Sequence, residues 1–458
     1  MSFDPPALVY WRKRIAASDR PDRVFDAVAE VVAQTGILRG RRKRCVDSTV
    51  LDDAVATQDT VTQLTAAMRK VARVVPGADE VTGRVCRLDY SQPGKPPIDW
   101  DDPVAREKLV SDLVSDALAV LAGLAGPGAP RRDAAAADAL GLLALVAGQD
   151  VEPAEGSDGT DGRWRIARKV APDRVISTVD TQARHTRKSK SKRRDGFRGH
   201  VAAEPETGLV TDCEMTKAAG PGSTDAENGV KMAGRDRFTG TPGSTGQAGD
   251  PDAAAGIPGS TGPGADEPDS ATEEEERLEI YGDSSYGSGD ARAAYRDAGH
   301  DTVIKPGPLR PAVPGGFTID DFTVDEQAGT VTCPAGQVRP MSKTRTATFG
   351  AVCAGCPLRE RCTTAKDGRS MTIHPHEDLL RAARAQARTD DFKKACPTRS
   401  AIERIISWTA TQNGRRVRLR YLGTAKNNAW LHGRSAAINL RTLVNAGLTR
   451  RDGAWVTA

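Results

Sequence analysis

The periodicity of hydrophobic residues predicts helices in the first third of the chain. Over residues 19–35 apolar side chains recur every three or four positions, and Gly36 follows where such a helix would end. Residues 103–124 carry the clearest apolar stripe, with Asp102 placed to cap the helix and Pro103 in its first turn. Two further helices are predicted, over 53–73 and 132–147.

Short β-prone runs replace this periodicity from about residue 164 onward. Strands are predicted over 174–180, 197–204, 208–216 and 278–281, with an earlier strand over 45–51 and a β-rich stretch over 317–333. Helices return over 289–298 and through most of 376–445. Strands that alternate with helices predict an α/β fold.

A segment rich in glycine and proline separates these strands from the later elements. Within residues 219–270 the tetrapeptide Pro-Gly-Ser-Thr recurs at 221–224, 242–245 and 258–261, and no apolar position repeats with it. A segment of this composition cannot bury a core of its own. It is therefore predicted to be a disordered surface linker.

The predicted elements describe one interrupted α/β core with several inserts. The length of 458 residues alone would allow about two or three domains. The predicted segments are an N-terminal helical segment (1–43), a first core strand (44–52), a helical insert (53–163), core strands with a basic segment (164–218), the disordered linker (219–276), a core segment with a second aspartate (277–316), a small Cys-rich β insert (317–375) and a C-terminal helical part of the core (376–458).

Composition excludes several classes of protein. No apolar run approaches the roughly 20 residues of a membrane span, and the N-terminus lacks the layout of a signal peptide. Eight cysteines in a chain of this length do not make the disulfide framework of a small secreted domain, so we expect a cytoplasmic protein with reduced thiols. Because the net charge is only +4, contact with nucleic acid must depend on local basic patches.

Three acidic residues stand in distinctive positions. Asp47 and Asp283 each follow a β-prone run, and Glu403 lies early in a predicted helix whose isoleucines form the buried face. Carboxylates gathered at strand ends repel one another and are stable mainly around divalent cations such as Mg²⁺. Two such ions can assist both the attacking and the leaving oxygen at a phosphodiester. The chain has 61 acidic residues, so composition alone does not select these three.

Four motifs, in their order along the chain, resemble the DDE transposases of bacterial insertion sequences. They are Val46-Asp47-Ser48-Thr49, the run from Thr178 to Arg184 with the hairpin after Gly196, Tyr281-Gly282-Asp283-Ser284-Ser285-Tyr286-Gly287, and Ile402-Glu403-Arg404 with the arginines that follow. The resemblance implies an RNase H-like mixed sheet flanked by helices. It further implies that Asp47, Asp283 and Glu403 are catalytic and bind Mg²⁺ (or Mn²⁺).

The same resemblance implies the reaction and its partners. Such enzymes cleave DNA strands at the ends of the element by attack of water, and the freed 3′-hydroxyl then attacks target DNA. The expected partner is double-stranded DNA, both transposon ends and target, and the expected assembly is a homodimer on DNA. The expected location is the bacterial cytoplasm, at the nucleoid.

Some positions leave alternatives open. Asp180 is a rival for the first acidic residue, but Asp47 is favoured because the hairpin that follows it then supplies the second and third strands. Arg399 matches an arginine that precedes the glutamate in one branch of the family, whereas Cys396 and Ala410 stand where that branch has tyrosine and lysine. A short region before the first aspartate favours an alternative function, a truncated and catalytically inactive remnant that only binds DNA.

Two basic patches are candidates for the DNA backbone, one within 184–198 and one after the Glu403 helix. The predicted DNA-binding residues are Lys188, Lys190, Lys192, Arg193, Arg194, Arg198, Arg399, Arg415, Arg416 and Arg420. Beside a two-metal site, phosphate binding is a better interpretation of these charges than a solvated loop. A third basic run, 39–44, could serve DNA or merely flank a strand.

Four cysteines are spaced as a candidate metal site. Cys333, Cys353, Cys356 and Cys362 could hold a structural Zn²⁺ ion through four thiolates. Plain reduced cysteines and an iron–sulfur cluster are the alternatives, and His374 and His376 could substitute as ligands or be exposed loop residues. A zinc-organised interaction protein is a third possible function, and it depends on these cysteines alone.

Overall fold

A computed structural model describes residues 4–125, 133–189, 192–238 and 277–458. The helices in these ranges are α1 Pro5–Ala16, α2 Arg23–Thr35, α3 Thr60–Val74, α4 Ala78–Val85, α5 Pro103–Leu124, α6 Ala134–Gln149, α7 Asp225–Gly234, α8 Gly289–Asp297, α9 Arg359–Cys362, α10 Glu377–Gln386, α11 Asp390–Ala395, α12 Ala401–Ala410 and α13 Thr424–Asn445. Short 3₁₀ turns span Ser284–Tyr286, Ile319–Asp321, Gly350–Cys353 and Cys396–Ser400. Within the same ranges, no helix is both long and apolar enough to span a bilayer.

The strands of these ranges are mostly short, apart from those of the central sheet. They are β1 Lys43–Asp52, β2 Val151–Pro153, β3 Trp164–Ile166, β4 Arg184–Ser189, β5 Lys192–Ala203, β6 Val210–Lys217, β7 Glu279–Gly282, β8 Asp301–Ile304, β9 Thr323–Asp325, β10 Thr330–Thr332, β11 Val338–Pro340, β12 Thr346–Thr348, β13 Ser370–Thr372, β14 Thr411–Gln412, β15 Arg415–Arg416, β16 Thr449–Arg451 and β17 Ala454–Val456.

The central sheet is mixed. Strand β1 pairs with β7 in parallel and with β5 antiparallel, and β7 continues in parallel to β8. Besides β1, strand β5 pairs with β4 and with β6, and it is antiparallel to both. The spatial order is therefore β4-β5-β1-β7-β8, with β6 also on β5. The α/β class predicted from the sequence is confirmed at this level.

Helices cover both faces of the sheet, because successive side chains of a strand point to opposite sides. On β1, Cys45 and Leu51 belong to a cluster that includes Ile402 and Ile405 of α12 together with residues of α2 and α13. Val46, the residue that follows Cys45 on β1, points to the other face and belongs to a second cluster with residues of α7 and α8. Strand β1 is thus the buried centre of a three-layer arrangement.

Helices α3 to α6 have a core of their own. Leu64, Leu113 and Leu143 are fully buried within it. The helix predicted over 103–124 is confirmed at both ends, and the Asp102 carboxylate accepts a hydrogen bond from the Val104 amide at 2.9 Å. The helix predicted from 53 begins only at Thr60, because β1 continues to Asp52 and a turn follows.

Several predicted elements were wrong. Residues 174–180 are not a strand in the structure, where Val175 makes only an isolated bridge to Arg184. The first part of the basic segment, for which no strand was predicted, forms strand β4 and pairs with β5. The linker prediction fails at its start because residues 225–234 form helix α7. The rest of that prediction, from 239 to 276, lies outside the described residues.

Candidate active site

The parallel pairing of β1 and β7 places two predicted catalytic residues side by side. The register pairs Lys43 with Glu279 and Cys45 with Tyr281. Continuing this register by two residues brings Asp47 opposite Asp283, at the point where β7 has just ended. We call these two residues the aspartate pair.

Gly282 allows the chain to leave β7 close to β1. A Cβ atom at this position would lie 3.1 Å from Cγ2 of Val46 and 3.0 Å from Cβ of Tyr286, and both distances are tighter than ordinary packing. A larger residue would push the turn that follows away from β1. The glycine therefore keeps Asp283 near Asp47.

Asp47 is an acid in an unfavourable environment. Its side chain is 17% exposed and accepts a hydrogen bond from the Ser48 amide at 2.8 Å. Burial raises the pKa of Asp47 to about 6, and the nearby carboxylates of Asp283 and Asp225 act in the same direction, whereas Arg399 partly offsets them. A positive charge at this position would relieve the repulsion.

Asp283 is oriented by the turn that it caps. Its carboxylate accepts a hydrogen bond from the Ser285 amide at 2.9 Å, and the Ser285 hydroxyl lies between this carboxylate and that of Asp225, with one proton to share between them. The turn over Ser284–Tyr286 then buries Tyr286 under the sheet. The Asp283 side chain is thus held in place by the backbone of the turn that follows it.

Glu403 lies on the same face as Asp47 but further out. Helix α12 packs its buried isoleucines against the β1 layer, while the Glu403 side chain is 65% exposed. Arg399 lies between the two acids, with Nη2 at 3.7 Å from Asp47 Oδ2 and Nη1 at 4.0 Å from Glu403 Oε1. One guanidinium therefore links the aspartate pair to the glutamate.

Asp180 is placed elsewhere and has a structural environment. It is buried, and its carboxylate accepts hydrogen bonds from the Gly423 amide at 3.0 Å and from the Gln182 amide at 3.1 Å. Gly423 precedes helix α13, so the acid lies at that helix N-terminus, where a negative charge is favourable. Of the two rivals for the first acidic residue, Asp47 is the one next to Asp283.

The aspartate pair fits a divalent cation in the type of its donor atoms, because it offers the oxygen ligands that Mg²⁺ prefers. Burial is the main cause of the raised pKa of Asp47, and a cation would relieve the smaller contribution from the neighbouring carboxylates of Asp283 and Asp225. Throughout the described residues, however, no three His, Cys, Asp or Glu side chains are already arranged around one ion position. The two aspartates fit the ion, and Glu403 is not gathered with them in this structure.

The comparison with known families adds independent information. Residues 332–444 match the family model of a transposase DDE domain. This match confirms the resemblance to the DDE-type transposases. No curated protein and no solved structure matches the chain. The matched segment contains Glu403 and Arg399, and the aspartate pair lies outside it.

A transposase domain supports transposase enzyme activity in general and implies DNA as the partner. Transposases of the DDE type generally use a divalent metal. The structure brings together parts of both predicted basic patches, which would suit such a partner. Arg416 Nη2 donates to the Val50 carbonyl at 2.7 Å, and Arg194 contacts Asp52 at 3.0 Å, so both lie near the end of β1. Burial lowers the pKa of Arg416, and the neighbouring charge of Arg194 lowers it further.

Apart from Arg399, which lies between Asp47 and Glu403, the other predicted DNA-binding residues divide into three groups. The first group consists of exposed arginines on the β4–β5 and β14–β15 hairpins or in the loop that follows them, namely Arg193, Arg415 and Arg420. Arg198 does not face solvent freely, because its guanidinium contacts Asp225 at 3.0 Å. Lys188 and Lys192 lie on β4 and β5, and Lys190 falls outside the described residues.

The basic run 39–44 includes one residue with a clearly structural role. Arg44 is buried at 1% exposure and its Nε lies 2.5 Å from Asp236 Oδ2, which is 2% exposed. A guanidinium held in this way cannot reach a DNA backbone. Arg41 of the same run pairs with Glu206 at the β5–β6 turn.

The four clustered cysteines line one small cavity in the Cys-rich segment. Cys353 is buried, and the pKa of Cys362 is raised by burial, with further contributions from the other three sulfurs. All four therefore lie near one another, although they do not form a ready metal site within the described residues. His374 and His376 instead lie 3.8 Å from Asp290 of α8.

One acidic residue near the aspartate pair was missed from the sequence. Asp225 begins helix α7 and lies against the sheet where β7 ends, in contact with Ser48 and Ser285. It belongs to the segment that was predicted to be a disordered linker. The available signal was Thr224 followed by Glu227, whose side chains form the cap of α7.

Proposed function

We propose that this protein is the DDE transposase of a bacterial insertion sequence. It would cleave DNA strands at the ends of the element and join them to target DNA through attack of the 3′-hydroxyl. The observation that carries the proposal is the register of β1 and β7, which sets Asp47 opposite Asp283. The family match over 332–444 supports the assignment of the segment that holds Glu403.

The order of the strands supports an RNase H-like core. From β6 the sheet continues through β5 and β1 with antiparallel neighbours, and then through β7 and β8 with parallel neighbours. The first acidic residue lies on the central strand β1 and the second lies just after its parallel neighbour. This arrangement agrees with the prediction that the hairpin after Asp47 supplies the second and third strands.

Asp47, Asp283 and Glu403 would hold Mg²⁺ (or Mn²⁺). A bound divalent ion supplies Lewis-acid stabilisation of the oxygens at the phosphodiester. The protein's own contribution is to keep the aspartate pair adjacent, to exclude solvent from Asp47, and to place Arg399 beside Asp47 and Glu403. To join the aspartates at one ion, Glu403 would have to move inward from its exposed position on α12.

The DNA backbone would lie along the surface formed by Arg194, Arg415 and Arg416. These arginines lie at the far end of β1 from the aspartate pair, on the β4–β5 and β14–β15 hairpins. From Asp47 to Asp52 the strand advances about 17 Å, at roughly 3.3 Å per residue. A duplex that contacts both regions would therefore place several phosphates between them. Pairing two element ends would require a second copy of the chain, and a homodimer on DNA is proposed.

A cleavage assay tests the proposed function. The probe is a supercoiled plasmid that carries the genomic DNA flanking the coding sequence on both sides, incubated with the full chain and Mg²⁺ or Mn²⁺. Asp47→Asn, Asp283→Asn and Glu403→Gln should each lower the cleavage rate by about 10³-fold or more. Asp297→Asn, an exposed acid on α8, is the matched control and should leave the rate unchanged. Cleavage that survives in the aspartate variants would refute the assignment.

A second candidate function is an inactive, DNA-binding remnant. The observation in its favour is the position of Glu403, which is 65% exposed and 4.0 Å from Arg399 rather than beside the aspartates. A remnant would bind the flanking DNA in a gel-shift assay and show no metal-dependent cleavage. Wild-type cleavage that depends on Glu403 would exclude it.

We further propose that the four clustered cysteines hold a structural Zn²⁺ ion. The four cysteines line one small cavity, and a closed site of four thiolates is typical of structural zinc. Metal analysis of protein prepared without chelators should give about one zinc per chain, and Cys356→Ser should lower that content. A chain without zinc would remove this proposal and the zinc-organised interaction protein together.

A further inference from the structure

We propose that Asp225 is a positioning residue that holds the aspartate pair together. The inference rests on the proposed function, because it assigns a role to Asp225 through Asp47 and Asp283. Asp225 lies on α7, on the opposite side of the sheet from Glu403 and Arg399. It would act by joining the two backbone segments that carry the pair, without touching the reacting atoms.

The connection is a continuous chain of hydrogen bonds. Asp225 Oδ1 accepts from the Ser48 hydroxyl at 2.7 Å, and the Ser285 hydroxyl, whose single proton is shared, lies 2.9 Å from Asp225 Oδ2 and also contacts the Asp283 carboxylate. Ser48 follows Asp47 directly and donates its amide to the Asp47 carboxylate. Ser285 donates its amide to the Asp283 carboxylate. One carboxylate therefore bridges the residues that orient each member of the pair.

The bridge lies where the sheet itself no longer fixes the spacing. The paired register of β1 and β7 extends to Cys45 and Tyr281, two residues before the aspartates. Beyond that point β7 ends and the chain turns over Ser284–Tyr286. Asp225 thus provides a link across the two segments just after the backbone pairing stops.

The bonding of Asp225 argues against a role as a metal ligand. Arg198 Nη1 donates to both of its oxygens, at 3.1 and 3.0 Å, so the carboxylate is already in contact with the guanidinium and with the Ser48 and Ser285 hydroxyls. Its side chain is only 12% exposed. Burial would raise the pKa of Asp225, but Arg198 and the serine hydroxyls outweigh it and the pKa lies below the ordinary value. The Asp225 carboxylate is therefore charged, and its oxygens are occupied by contacts within the protein.

His200 completes this environment as a neutral group. It is fully buried on β5, with Nδ1 at 3.5 Å from Asp225 Oδ1 and Nε2 at 3.1 Å from the Thr216 hydroxyl. Burial lowers the pKa of His200 to about 3, so the imidazole remains uncharged at neutral pH. The positive charge that balances Asp225 therefore comes from Arg198.

The close packing of α7 fixes Asp225 in place. A Cβ atom at Gly229 would lie 2.4 Å from the Tyr295 hydroxyl and 2.7 Å from Cδ1 of Tyr286, so that the helix approaches these rings as only a glycine permits. Tyr286 belongs to the turn that Asp283 caps. A shift of α7 would thus move the turn as well as the carboxylate.

The test compares Asp225→Asn with Glu227→Gln in the full chain. Glu227 lies on the same helix, and its carboxylate accepts from the Thr224 hydroxyl at the helix cap. Mn²⁺ binding, followed by electron paramagnetic resonance without DNA, should weaken about 10- to 100-fold in Asp225→Asn, as for other outer residues that orient ligands. The kcat for plasmid cleavage should fall by a similar factor with little change in KM. Glu227→Gln should match wild type in Mn²⁺ binding, in kcat and in KM.

Serine variants and the aspartate variants separate the possible outcomes. Ser48→Ala and Ser285→Ala should each have a smaller effect than Asp225→Asn, and combining either with Asp225→Asn should add little, because the bonds belong to one path. Should Asp225→Asn fail to fold in a thermal melt, Ser48→Ala carries the test, since the Ser48 hydroxyl donates to Asp225, whereas the Ser285 hydroxyl also contacts Asp283 directly. Unchanged Mn²⁺ binding and kcat in these variants, while Asp47→Asn loses both, would overturn this inference alone. Wild-type protein without Mn²⁺ binding or cleavage would overturn the proposed function and the inference with it.

Discussion

Asp47 on β1 and Asp283 just after the end of the parallel strand β7 occupy equivalent register positions, two residues beyond the last paired residues Cys45 and Tyr281. The two acids are separated by more than half of the chain in sequence, and the sheet brings them together. Their mutual repulsion contributes to the raised pKa of Asp47. Such a pair costs folding free energy, which is the pattern expected of a site kept for function.

The first prediction concerns stability and pH. Because burial raises the pKa of Asp47 from 3.8 to about 6, its ionised form destabilises the fold, and this cost develops as the pH rises from about 4 to about 6. Asp47→Asn should therefore stabilise the metal-free protein at about pH 7.5, by up to roughly 3 kcal/mol, and have little effect near pH 4. Urea denaturation at both pH values, with a chelator present, measures the difference. Equal stabilisation at both pH values would contradict the charge origin.

The second prediction distinguishes the two rival aspartates. Asp180→Ala should lower the free energy of unfolding by about 1–2 kcal/mol, because the Gly423 amide at the start of α13 loses its acceptor. Asp180→Asn keeps an acceptor oxygen and should retain both most of the stability and the cleavage activity. Loss of cleavage in a stable Asp180→Asn protein, comparable to the loss in Asp47→Asn, would make Asp180 the catalytic residue instead.

The third prediction concerns the merged basic surface. If the proposed DNA surface is right, Arg194→Ala and Arg416→Ala should each weaken binding of the flanking DNA and reduce the slope of log K against log salt by about one, because each would remove one proposed phosphate contact. Fluorescence anisotropy at several salt concentrations gives the slope. Arg296→Ala, an exposed arginine of α8 paired with Asp297, is the control and should leave the slope unchanged.

The fourth prediction concerns the buried ion pair near the start of β1. Asp236→Ala would leave the Arg44 guanidinium buried at 1% exposure without its carboxylate. The free energy of unfolding should fall by about 3–5 kcal/mol. The double variant Arg44→Met/Asp236→Leu should recover most of that loss, since it removes both charges. If Arg44 served DNA instead, Arg44→Met/Asp236→Leu would bind the flanking DNA more weakly, and a gel-shift assay measures this.

Local patterns predicted the elements whose signals are local. The apolar stripe and the Asp102 cap correctly predicted α5, and Gly36 ends α2 with a left-handed φ of 64° as expected of a C-terminal stop. The same approach missed α7, because its ten residues follow glycine and proline and carry few apolar side chains. It also missed β4, whose basic residues become a strand only through pairing with β5.

The sequence by itself determined the α/β class and the chemical candidates, including Asp47, Asp283 and Glu403, because residue type and local periodicity are properties of short segments. Only the tertiary structure decided which acids are neighbours. It set Asp47 beside Asp283 and placed Asp180 at a helix N-terminus, and it recruited Asp225 from a segment that looked disordered. These relations depend on strand register and on helix packing across a sheet. Both are fixed by contacts between residues that are far apart in the chain.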